Sequence, residues 1–211
     1  MGGVLAAAGA VSGARSSRAA RLFATVPLLF AAQQSAEGII WLTVDAPQHA
    51  TLERAAVYAF LGFALVLWPT FAPLSLRQME ASPSQHRLLG ALTWAGVIVS
   101  AGAAFLLVRA QPAARIDGHS ITYEFGGGAG VTRQLVLLAA YVVPTIVPFF
   151  VSTTRWARII GAALVASAAI ATLIRHEALT SVWCFFAAIV SLLVVLAVRA
   201  PRSQRAAEWP R

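Results

Sequence analysis

Apolar residues in this chain come in long unbroken runs separated by short polar stretches, the opposite of the fine alternation of a half-buried strand. Seven runs stand out, at about 2–14, 22–44, 55–76, 88–108, 134–151, 157–174 and 179–198. A bilayer core of about 30 Å calls for about 20 helical residues, and about 18 suffice with little tilt. The first run, Gly2 to Ala14, reaches only about 20 Å as helix. Its arginines, Arg15, Arg18 and Arg21, follow the apolar stretch, whereas a signal peptide carries its charge in front. The expectation is a short first membrane helix, or one whose true start lies upstream of Met1.

The longest connection runs from Arg109 to Arg133. Within it ARIDGHSITYEF predicts a β-hairpin, with Asp117-Gly118 suited to a type I′ turn and Ile121, Tyr123 and Phe125 alternating onto one face that packs on the mouth of the bundle. The GGGAG return after it is not a phosphate loop, because no βαβ unit precedes it and no lysine follows. The pattern therefore predicts an all-α, seven-transmembrane-helix bundle forming one domain over 1–198. It adds a small outer β-hairpin between helices four and five and a basic tail over 199–211.

Composition agrees: 59% of residues are hydrophobic, 11% are charged and the mean hydropathy is +0.75, values of an integral membrane protein. The net charge of +8 comes from 16 basic residues, all arginine. These sit at the ends of the apolar runs without interleaved aromatics, so a nucleic-acid partner is not expected. Counted by side, eleven arginines (15, 18, 21, 77, 87, 155, 158, 199, 202, 205 and 211) fall together against five (54, 109, 115, 133 and 175). By the positive-inside rule the N-terminus is outside, the C-terminus inside, and the tail lies against anionic lipid. Without lysine there is no Schiff-base chemistry with retinal or pyridoxal. The lone Cys184 allows no intramolecular disulfide.

Candidate chemistry concentrates in the second run. Gln33, Gln34 and Glu37 interrupt an otherwise apolar segment, with Trp41 one turn further on. A carboxyl near the centre of a membrane helix costs about 2.5 to 3.5 kcal/mol, and the ten Leu, Ile, Phe and Val residues from Leu22 to Val44 offset about 3 to 6 kcal/mol. That leaves the glutamines uncovered, so other helices must shelter this face. The fifth run offers Tyr141 and Thr145 on one stripe, and the seventh offers Ser181 and Trp183. Double prolines, Pro69 with Pro73 and Pro144 with Pro148, predict bent helices inside two similar words, PTFAP and PTIVP. His49, His119 and His176 map to one side, but they come from three separate loops without paired spacing, so no metal and no cofactor are expected.

The words LLFAAQQSAEGIIW, VLWPTFAPLS, YVVPTIVPFFVS and SVWCFFAAIVS together resemble an uncharacterised family of small bacterial multi-pass membrane proteins, a domain of unknown function. The likeness runs from about Pro27 to Ser191 and implies a location in the bacterial cell membrane. It supplies no activity. Members of that family open with a short Met-Cys-Phe-Ser motif that this chain lacks, which fits the short first run.

The expected function is a small-molecule or lipid binding or sensing bundle. Its polar pocket would be lined by Gln33, Gln34, Glu37, Tyr141, Thr145 and Ser181, with Trp41 and Trp183 as walls. The expected partners are membrane lipids and a small ligand. The alternatives are a small-solute or proton-coupled carrier titrating at Glu37 and, at lower weight, a metal-dependent membrane-embedded hydrolase similar in outline to ceramidase-like enzymes.

Overall fold

The computed structural model describes Gly3 and residues 18–125, 131–175 and 179–199. Apart from Gly3, the first run, the GGGAG return and the tail from 200 lie outside the described residues. After a 3-10 turn at Arg18–Ala20 come α1 (Arg21–Ala24), α2 (Val26–Thr43), α3 (Ala50–Leu61), a π-helical turn (Gly62–Leu67) and α4 (Trp68–Arg77). Then follow α5 (Pro83–Ala110), β1 (Ala113–Asp117), β2 (Ser120–Glu124), α6 (Val131–Val151), α7 (Arg155–Arg175), α8 (Leu179–Val190) and α9 (Leu192–Arg199).

All six described apolar runs are helical. Three helices, Pro47–Arg77, Pro83–Ala110 and Arg155–Leu173, are long and apolar enough to cross a membrane, and Val136–Val151 and Ser181–Leu196 are shorter apolar helices. At 31 residues the first of these is about 45 Å long, well beyond a bilayer core. Along α5 the side chains of Trp94, Ile98, Phe105 and Val108 are all largely exposed. Such an apolar stripe is costly in water and needs no cover in lipid.

The backbone of the longest rod is set by its prolines. In a π-helical turn a carbonyl accepts from the N–H five residues on, and Pro69 has none for Ala64. Tyr141 of α6 takes its place: its hydroxyl donates to the Ala64 carbonyl at 2.7 Å. From α5, Ser100 donates to the Val66 carbonyl at 2.6 Å and lies 2.9 Å from the Thr70 hydroxyl. The Pro69 carbonyl, four residues before Pro73, faces Gly96, where an added Cβ would lie 1.9 Å from its oxygen. The strain of the double proline is thus taken up as a widened turn upstream of Pro69. In α6 both prolines sit inside a continuous helix, and Gly161 of α7 packs on Phe149 so closely that an added Cβ would lie 2.7 Å from the Phe149 Cβ. The two proline-paired helices, α4 and α6, pack against one another and end at the same end of the bundle.

That end is held by Glu80, which is 7% exposed. Its Oε2 accepts from the Ser152 hydroxyl at 3.2 Å and the Thr153 N–H at 2.9 Å, and its Oε1 from the Thr153 hydroxyl at 2.8 Å and the Ser82 N–H at 3.1 Å. Burial alone would raise its pKa, but the hydrogen bonds from Thr153, Ser82 and Ser152 outweigh it and hold the carboxyl below the usual 4.5. One carboxylate therefore pins the α4–α5 connection to the α6–α7 connection.

At the opposite end the hairpin is present, with a correction to its turn. Asp117 pairs with Ser120, so the turn residues are Gly118 and His119 in place of Asp117 and Gly118. Of these only Gly118 has a positive φ, 60°, the pattern of a type II′ turn; type I′ needs both. Ile121 is fully buried and Tyr123 stacks on Phe60 with ring centroids 5.1 Å apart. Phe125 falls beyond the ladder and is 46% exposed, so two of the three expected side chains make the packing face. They join a core of Ile40, Val57, Phe60, Leu61 and Leu107, which sinks the hairpin among the helix ends.

Gly96→Ala is expected to lower the thermal midpoint in detergent by the equivalent of about 1 to 3 kcal/mol, because the Pro69 backbone cannot move aside. Gly102→Ala on the same helix meets nothing within 4 Å and is expected to be neutral or stabilising. Equal losses in both variants would refute the close approach. For Glu80, a folded pKa below the unfolded one means stability that is fully present above about pH 4.5 and lost as the pH falls through the folded value. The gap in unfolding midpoint between the protein and Glu80→Gln is therefore expected to hold from pH 7 to about 5 and to close on further acidification. A gap that widens below pH 5 would contradict the clamp.

Candidate functional site

A spacing of four places the Gln33 and Glu37 side chains on one face of α2, and the structure buries that face: Gln33 is 0% and Glu37 6% exposed. Neither can stay buried without partners, and each is met from another element. The Trp68 indole N–H of α4 donates to Gln33 Oε1 at 2.8 Å. Trp68 is itself held by stacking on Phe30 at 4.3 Å and edge-on against Phe71. Both carboxyl oxygens of Glu37 accept: Oε1 from the Ser181 hydroxyl of α8, Oε2 from Gln34 Nε2 at 3.0 Å. The Gln33 amide lies beside the Cys184 thiol, yet its Nε2 makes no hydrogen bond. Tyr123 reaches the same cluster from the hairpin, and its hydroxyl is also buried and unbonded.

Next to this cluster runs a narrow groove with a cavity volume of about 60 Å³. Its walls include Phe30 of α2, Trp68 of α4, Tyr141 and Thr145 of α6, and Trp183 and Cys184 of α8. The walls are apolar in character because most of their polar atoms, though not Trp183 Nε1, are occupied. The Tyr141 hydroxyl is bound to Ala64, and the Thr145 hydroxyl donates to the Tyr141 carbonyl at 2.7 Å, the usual habit of a helical threonine. Tyr141 and Trp183 meet edge to face with centroids 6.1 Å apart, and the Trp183 Nε1 is buried without an acceptor.

The eight residues singled out by the sequence thus separate into two adjoining features. Gln33, Gln34, Glu37 and Ser181 form the bonded polar cluster; Tyr141, Thr145 and Trp183 line the groove. Trp41 belongs to neither and is 39% exposed. Steps of four residues drift about 40° each, so by Trp41 the stripe has turned about 80° away from Gln33. The sequence reading missed Trp68, whose N–H needs an acceptor wherever it is buried, and Cys184 as a wall of the groove. It also missed the Tyr123 hydroxyl, for which periodicity offers no signal. The histidines stay apart: among the described residues no three His, Cys, Asp or Glu side chains are placed to hold a metal ion, and His176 lies outside them.

The chain belongs to a family of unknown function, DUF6629, whose model matches residues 1–209. No curated protein and no solved structure matches it.

Ser181→Ala is expected to destabilise the protein by about 1 to 3 kcal/mol, because Glu37 Oε1 then stays buried without a donor. In a Glu37→Leu background the same substitution is expected to change the thermal midpoint little. Additive losses would show that the two side chains are not coupled.

Proposed function

We propose that this DUF6629 member is a multi-pass protein of the bacterial cell membrane that binds a small apolar or lipid-like molecule in the groove between α2, α4, α6 and α8. The groove itself carries the reading: a concave, aromatic-lined space beside a rigid polar cluster has the character of a small-molecule site. The exposed apolar stripe of α5 and the three long apolar helices support the membrane setting. Seven spans, with the N-terminus and the hairpin outside and the Glu80 end inside, agree with the distribution of arginines.

The rigid cluster supports sensing or binding over transport. A carrier titrating at Glu37 needs that carboxyl to border a path, whereas both its oxygens accept hydrogen bonds and it does not line the groove.

Two experiments test this. Mass spectrometry of lipid extracted from protein purified in mild detergent is expected to show one species near stoichiometric level, lost in Ala187→Phe, which fills the groove wall. Equal lipid content in the folded protein and the folded variant would count against the site. For orientation, with Cys184 replaced by serine, His119→Cys is expected to react in intact cells with a membrane-impermeant maleimide, and Ser84→Cys only after lysis. The reverse pattern would invert the topology.

A further inference from the structure

We infer that the molecule in the groove is a neutral amphiphile with one hydrogen-bond acceptor, an ester or ketone oxygen, docked at the hairpin end, and an apolar chain running toward the Glu80 end. This rests on the groove being a binding site.

The groove is polarised by which of its polar hydrogens are free. Toward the Glu80 end the Ser75 hydroxyl donates to the Ala72 carbonyl at 2.9 Å and the Ser191 hydroxyl to the Ala188 carbonyl at 2.6 Å. Thr145 and Tyr141 are committed in the same way. That stretch therefore offers an occupant only apolar contact. At the hairpin end the wall residue Trp183 holds a buried indole N–H with no acceptor. Gln33 lies behind this wall with no exposed surface, its Oε1 taking the Trp68 N–H and its amide lying against the Cys184 thiol. Native proteins rarely leave a buried donor unbonded, and the Trp183 N–H in the groove wall calls for an acceptor that no described residue supplies.

Charge excludes the commoner amphiphiles. Among the described residues no arginine lines the groove, so a phosphate or carboxylate head would be buried there without a described cation, close to the Glu37 carboxyl. A cationic head would meet an unbonded donor. Length fits a single chain: Trp183 and Val194 stand at the two ends of the wall formed by α8 and α9, about 16 Å apart along the helices, half of a bilayer core.

The test compares three probes at equal mole fraction in the same micelles: dodecane, methyl dodecanoate and dodecanoate. Binding is read as the shift in thermal midpoint with probe concentration. Methyl dodecanoate is expected to bind about three- to tenfold tighter than dodecane, the margin of one hydrogen bond, and dodecanoate more weakly than the ester. Trp183→Phe keeps an aromatic wall but removes the N–H and one ring, so it is expected to bring the ester down to the level of dodecane, with any loss of packing area weakening both probes alike. Equal binding of ester and alkane, a preference that survives Trp183→Phe, or tighter binding of dodecanoate would overturn the head-group assignment. The groove would still stand if Ala187→Phe abolished binding of the alkane. Should no probe bind, or should Ala187→Phe bind all three as the unaltered protein does, the groove reading fails and this inference with it.

Discussion

The arrangement of the bundle depends on hiding two polar side chains on one face of α2. Gln33 and Glu37 cannot face lipid or an apolar core unbonded, and an unsatisfied buried polar group costs about 1 to 3 kcal/mol or more. The partners come from far along the chain, Trp68 in α4 and Ser181 in α8. Once these bonds form, the rotation of α2 and the positions of both partner helices are set relative to one another. The groove is the space left beside that junction, which is why Trp68 and Cys184 belong to both its wall and the cluster.

The prolines pose the same problem in the backbone. Pro69 and Pro73 withhold donors from carbonyls inside an apolar rod, and the neighbouring helices answer them. Tyr141 caps Ala64 and Gly96 lets α5 come close enough to cover Pro69, while Ser100 adds a further bond from α5 to the Val66 carbonyl. Tyr141 also lines the groove and meets Trp183 edge on. The shape of the groove is thereby tied to the widened turn at Gly62–Leu67, so a change in one must be felt in the other. At the far end Glu80 gives the same rigidity to two connections that would otherwise move apart.

Much of this was legible in the chain because it is written in local patterns. Long apolar runs announce helices, and Gly118 between alternating β-formers announces a hairpin. An acid amid leucines and isoleucines announces a face that must be covered. The less legible parts are those where one residue shifts the outcome. The hairpin turn moved by a single position because Ser120 pairs with Asp117. Trp41 left the site because a four-residue stripe drifts around a helix. Glu80, the second buried carboxyl, sits in a short polar connection where nothing local distinguishes it from a solvated loop residue.

Local sequence alone determined the helical class, the runs able to enter a membrane, the hairpin and the need to shelter Gln33 and Glu37, since hydrophobicity and backbone propensity act over a few residues. Only the tertiary structure decided which groups do the sheltering: Trp68, 35 positions away from Gln33, and Ser181, 144 away from Glu37. The same packing divided the expected polar pocket into a bonded cluster and an apolar groove. Hydrogen-bond partners in a bundle are chosen by how helices meet, and helix faces carry no local mark of the neighbour they will find.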